Sequence, residues 1–78
     1  MAEDRSKYVE MQNRLIAALE TENQAIAMYS SIREDLRKSY PKLKNTSSFI
    51  LRILSDEKDH KLMLEERLEF FKQLLDKI

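Results

Sequence analysis

The sequence predicts an all-α chain, an antiparallel two-helix hairpin that pairs with a second copy to complete a four-helix bundle. Three observations lead there. The chain has no glycine and one proline, Pro41, while 36% of its residues are charged, a composition that favours long helices over turn-rich sheets or glycine-loop nucleotide folds. Its apolar residues recur at helical spacing in two runs, one on each side of Pro41. Finally, a chain of 78 residues without cysteine has no staple, and domains below roughly 70–80 residues seldom bury enough apolar surface to be stable alone. It needs a partner, a metal, or both.

The first helix is expected over about residues 6–38. Steps of seven from Tyr8 give Leu15, Glu22, Tyr29 and Leu36, and the companion line is Met11, Ala18, Ala25 and Ile32. Leu19 and Ile26 widen these lines into the apolar stripe of a core-facing helix. One position on that stripe is charged, and it is Glu22.

A turn is expected at about 39–41, because proline disfavours helix at the residue before it and is welcome in the first turn of the next. The second helix then spans about 42–77 and presents Leu43, Ile50, Glu57, Leu64, Phe71 and Ile78, with Thr46, Ile53, His60, Arg67 and Leu74 as companions and Leu54, Leu68 and Leu75 alongside. The Asn45–Ser48 cluster is a competing loop signal that would start this helix near Ser47. Register favours the earlier start. A turn at 39–41 sets Leu36 opposite Leu43, Tyr29 opposite Ile50, Glu22 opposite Glu57, Leu15 opposite Leu64 and Tyr8 opposite Phe71. Residues 1–78 read as one domain without internal repeats.

Charge and composition remove several classes of function. Lys plus Arg equals Asp plus Glu at 14 each, so no net field recruits nucleic acid or an anionic membrane. The absence of cysteine excludes a disulfide framework, a zinc knuckle, a rubredoxin-type iron site and a thiol nucleophile. The first residues are polar and lead into no apolar h-region, so no secretory signal is expected. No run approaches the ~18 apolar residues of a membrane span. The expected compartment is the cytoplasm.

The residues that carry chemistry lie on the two stripes. Glu57 and His60 form a Glu-x-x-His pair, and i, i+3 spacing sends both side chains from one helix face. Glu22 lies at the same height on the other helix. Two carboxylates and an imidazole converging in one layer of an apolar seam need a common counter-charge, and oxygen and nitrogen ligands suit iron, manganese or zinc. One hairpin leaves any metal under-coordinated. Two hairpins supply four carboxylates and two imidazoles, the ligand set of carboxylate-bridged di-iron bundles.

Two strings sharpen this. Thr21-Glu-Asn-Gln-Ala-Ile-Ala-Met-Tyr29 and Ile53-Leu-Ser-Asp-Glu-Lys-Asp-His60 resemble the two metal helices of rubrerythrins and encapsulated ferritins, members of the ferritin-like superfamily. The resemblance spans nearly the whole chain and amounts to half of a ferritin-like bundle. It implies that Glu57 bridges two irons, that Glu22 is a terminal ligand, that His60 supplies nitrogen and that Tyr29 sits beside the site. It also implies ferroxidase activity for iron storage or detoxification, with iron as the native metal and manganese or zinc as substitutes. A homodimer at least is implied, with a larger ring of dimers and an enclosing shell protein, hence a protein nanocompartment, as further options.

There are departures from that pattern. Around Glu22 this chain has Thr21, Gln24 and Met28, where many encapsulated ferritins carry the carboxylates and tryptophan of an outer metal site. Residues 73–78 continue as helix and show no shell-targeting tail.

Other readings stand beside these. Taken alone, Glu57 and His60 read as a solvated pair on a helix flank; the register with Glu22 and the surrounding strings turn the reading to metal. Tyr29 is a core aromatic or a redox residue of the site. Arg67 is a rim residue, or pairs with a carboxylate such as Asp4 of the second copy. Asp56, Asp59, Glu65 and Glu66 are solvated charges, any one of which is able to orient the imidazole from outside. Met28 and Met63 are gap-fillers. The alternatives in function are a non-catalytic helical dimer holding a static metal, and a peroxide-reducing protein of rubrerythrin type fed by a separate electron donor.

Overall fold

A computed structural model of the chain describes residues 2–78, with side chains from Arg5 onward. The side chain of Asp4, named above as a partner for Arg67, lies outside the described part. Two helices, α1 over Ala2–Ser39 and α2 over Lys44–Asp76, pack along their whole length as a hairpin. No strand occurs among the described residues. The rod measures 59 × 14 × 13 Å, in keeping with a helix of 38 residues at about 1.5 Å per residue.

The connection is a consequence of Pro41. Tyr40, forced out of the helical region by the proline, still donates its N–H to Leu36 O at 2.9 Å, and Leu43 N–H closes a turn onto Tyr40 O at 3.0 Å. Proline occupies the second position of this four-residue turn, where its fixed φ is already right. Leu43 then accepts from Ser47 N–H at 3.0 Å as the first bond of α2. The turn thus occupies residues 40–43, slightly later than the expected 39–41. Asn45, Thr46 and Ser47 are helical rather than a loop. At the other end, Arg5 Nη1 donates to Leu75 O at 2.8 Å, a last-turn carbonyl that also accepts from Ile78 N–H at 3.4 Å, and so ties the start of α1 to the end of α2.

The expected register holds where it is visible. Tyr8 meets Phe71 edge-on, with centroids 6.3 Å apart at 67°, and Glu22 meets Glu57. The seam is built mainly from Tyr8, Gln12, Leu15, Leu19, Glu22, Ile26, Tyr29 and Leu36 of α1, against Ser47, Ile50, Leu54, Glu57, Lys61, Leu64, Leu68, Phe71 and Leu75 of α2. Among the described residues only Leu36, Ile50, Leu54 and Leu75 are buried, and no side chain is wholly enclosed.

The companion line of α2 enters the core only in part: Ile53 and Leu74 are half-buried, whereas Thr46, His60 and Arg67 are exposed. The helices are rotated so that Leu54, Leu68 and Leu75 enter the seam and the companion line stands at its edge. On α1 Leu19 and Ile26 are half-buried, as are Ala18 and Ala25 of the companion line, while Met11 and Ile32 are exposed. Among the described residues no helix is long and apolar enough to cross a membrane.

Candidate metal centre

The middle of each helix supplies one part of the site. Glu22 projects from α1 into the seam; Glu57 projects from α2 to meet it; His60, one turn on, stands at the edge of the same layer. One ligand atom from each of the three lies within 4.8 Å of the others. His60 Nδ1 is 3.9 Å from Glu22 Oε1 and 3.9 Å from Glu57 Oε1, too long for hydrogen bonds. The imidazole approaches both carboxylates without hydrogen-bonding either.

Their environments differ. The side chains of Glu22 and Glu57 are 21% and 22% exposed, whereas His60 is 54% exposed. Glu22 Oε2 is shut off from solvent and has no hydrogen-bond partner, an arrangement that costs free energy unless something else satisfies the oxygen. The Glu57 carboxyl is pushed above the usual carboxylate range. The largest cause is its hydrogen bond with Glu22, followed by burial and by the charge of Glu22, with His60 acting the other way. In physical terms a second negative charge facing it in the same half-buried layer disfavours ionisation of Glu57.

The centre opens on one side of the hairpin. Gln12 and Ile16 of α1 border a groove with Glu65, Leu68, Glu69 and Lys72 of α2. On the opposite side Leu15 borders a groove with Met63, Leu64, Arg67 and Phe70. His60 belongs to this second side, one turn before Met63. So do Met11, Met28 and Ile32 of α1 and Phe49, Met63 and Phe70 of α2, all exposed. The imidazole therefore stands on an apolar face open to solvent.

Of the residues predicted for the site, Glu22, Glu57 and His60 come together. Tyr29 does not join them: it is half-buried one heptad towards the turn, about 10 Å along the helix axis. Asp56, Asp59, Glu65 and Glu66 are exposed, and none pairs with His60. Arg67 lies over the Phe70 ring, its guanidinium carbon 5.2 Å from the centroid, which fixes a cation on the open face by cation–π attraction. The exposed line Phe49, Met63, Phe70 adds an apolar surface beside the companion line of α2, and its signal in the sequence is a seven-residue spacing interrupted at Asp56.

Two carboxylates and an imidazole form a hard-to-intermediate donor set suited to iron, manganese or zinc. The orphaned Glu22 Oε2 and the repulsion that raises Glu57 are what such a cation would relieve, since ligands shed protons on coordination. The residues present fit the metal. Compared with family models, with curated proteins and with solved structures, the chain matches none.

Proposed function

We propose that the chain is a di-iron carboxylate protein of ferritin-like kind: two copies together bind Fe(II) through Glu22, Glu57 and His60 and oxidise it with dioxygen or peroxide. The observation that carries this reading is the convergence of three ligand atoms within 4.8 Å around a buried carboxylate oxygen that nothing else satisfies. Three ligands leave a first-row metal under-coordinated, and the open side of His60 is where further ligands would arrive.

The pattern of the open face supports a second copy as their source. On α1, Met11 and Ile32 stand eleven and ten residues either side of Glu22, and Ala18 and Ala25 four and three. On α2, Phe49 and Phe70 bracket the Glu57–His60 pair at eight and ten residues. A face nearly palindromic about the site is self-complementary under a two-fold axis through it. That axis sets Met11 against Ile32 of the second copy and Phe49 against Phe70, and brings the two half-sites into one. The turn ends, with five Lys or Arg against two Asp or Glu over 33–44, then lie at opposite ends of the bundle rather than side by side.

Fe(II) is the substrate in this reading. Each ion gives up one electron, the oxidant takes up those electrons with protons, and Fe(III) passes on to storage or is rendered harmless. Iron supplies the one-electron chemistry that Glu22, Glu57 and His60 lack. Glu22 and Glu57 bind the cation and match its rising charge. Glu57 binds as the carboxylate and His60 through a neutral nitrogen, since ligands must be deprotonated to coordinate. Tyr29 belongs to the core rather than to the reaction. The reaction suits the cytoplasm, where Fe(II) persists.

The test is aerobic addition of Fe(II) to the protein, followed by ferric absorbance. Glu22→Ala, Glu57→Ala and His60→Ala each lose fast oxidation, while Asp59→Ala and Glu65→Ala keep it. Full activity in His60→Ala would remove the α2 half of the assignment. Metal binding without any acceleration would favour a static metal site instead.

A further inference from the structure

The side of the hairpin opposite His60 holds a groove of about 420 Å³ that the metal centre does not use. Ser30, Arg33, Glu34 and Arg37 of α1 line one wall, at steps of three and four that share a helix face, and Leu54 and Lys58 of α2 line the other. Leu54, 4% exposed, is the apolar floor. Glu34, the acidic group in the groove, is already fully engaged. Arg37 donates to both its oxygens, Nη2 to Oε1 at 2.7 Å and Nε to Oε2 at 3.3 Å, and Lys38 Nζ lies 3.3 Å from Oε1. These neighbours, the Arg37 hydrogen bond first, hold the Glu34 carboxyl down at about 2, a sign of positive surroundings. Arg33 and Lys58 have no carboxylate within 4.0 Å among the described residues.

We propose that this groove binds a phosphate oxyanion, held between Arg33 and Lys58 with Arg37 at its edge and the Ser30 hydroxyl as a neutral donor. Three lining cations against one lining anion leave a surplus of positive charge that a dianion matches. The guanidinium forks offer paired N–H donors at the spacing of two phosphate oxygens. The apolar floor keeps water from screening one side of the pair. The volume exceeds that of a free phosphate, so both inorganic phosphate and a simple phosphate monoester fit. This inference does not depend on iron chemistry, since every group in it lies outside the triad.

The experiment titrates the full chain, without added iron, with inorganic phosphate and separately with glycerol phosphate, followed by amide and arginine Nε shifts in NMR. Chloride at matched ionic strength is the control. The expected result is a saturable shift confined to Ser30–Arg37 and the Leu54–Lys58 turn. Arg33→Gln should weaken it roughly tenfold, the loss of one hydrogen bond between charged groups, and Arg33→Lys should fall between the two. Saturation with the monoester alone assigns the groove to phosphorylated small molecules, and with both to the phosphate group itself. Shifts that track ionic strength regardless of the anion, or that persist unchanged in Arg33→Gln, overturn the proposal.

Discussion

The middle of the hairpin and its turn-proximal third are built from the same heptad pattern and are chemically opposite. Near the turn, Leu36, Ile50 and Leu54 close the seam with apolar side chains that are 9%, 9% and 4% exposed. In the middle, the equivalent seam positions are Glu22 and Glu57, each about a fifth exposed, with one oxygen left without a partner. One region holds the hairpin together, and the other spends seam positions on groups that weaken it. That trade is the usual mark of a functional site in a small fold.

The largest expected effect comes from the region that stabilises. Leu54→Ala should cost about 2–4 kcal/mol, the range for a buried leucine truncated in a core, as read by urea unfolding at fixed protein concentration. In a fold with so few buried side chains this is enough to unfold much of the population. A cost under about 0.5 kcal/mol, the level of an ordinary surface change, would mean that the turn-proximal layer is not the anchor.

The middle layer should respond in the opposite direction. Glu22→Leu combined with Glu57→Leu should stabilise metal-free protein, because apolar groups then replace two like charges that face one another in the seam. The melting temperature of the metal-free protein should rise accordingly. Wild type should recover the difference on addition of metal, because binding to the folded state stabilises it by mass action. A double variant that melts below metal-free wild type would show that the two carboxylates do not burden the seam.

The contrast was largely legible in the sequence, and the reasons it was not wholly so are physical. Heptad spacing from Tyr8 to Leu36 and from Leu43 to Ile78 located both helices, and Pro41 located the turn. The charged exceptions at Glu22 and Glu57 located the middle layer. Periodicity says which line of residues faces a partner helix, but not how far the helix is rotated about its axis. Leu54 and His60 lie on opposite flanks of the same stripe, and only packing decides which flank enters the seam. The Asn45–Ser47 run looked like a loop because those residues compete for backbone hydrogen bonds. They become helical because Leu43 and Ile50 fix the register around them.

pH separates the regions more subtly. The Glu57 pKa is raised in the folded state, so the folded protein binds that proton more tightly than the unfolded chain. Its stabilising contribution is complete below the ordinary carboxylate value of 4.5 and is lost as pH rises through the raised pKa. Metal-free wild type should therefore lose stability over that interval, and Glu57→Gln should flatten the decline. Glu34 behaves oppositely. Its pKa is lowered to about 2 by Arg37 and Lys38, so its contribution is present above 4.5 and fades as pH falls towards 2. Because those charges are exposed and screened, Glu34→Gln should change the melting temperature least of all the variants here. Thermal melts across pH 2 to 8 check both signs.

The most direct test of the central claim, that two copies build one iron centre around Glu22, Glu57 and His60, is iron content measured together with mass. Protein loaded anaerobically with Fe(II), freed of excess and examined by sedimentation and elemental analysis should run as a dimer or a multiple of it, with about two iron ions per two chains. Glu57→Ala should retain the fold and lose the iron. A folded monomer under these conditions, or unchanged iron in Glu57→Ala, would contradict the account.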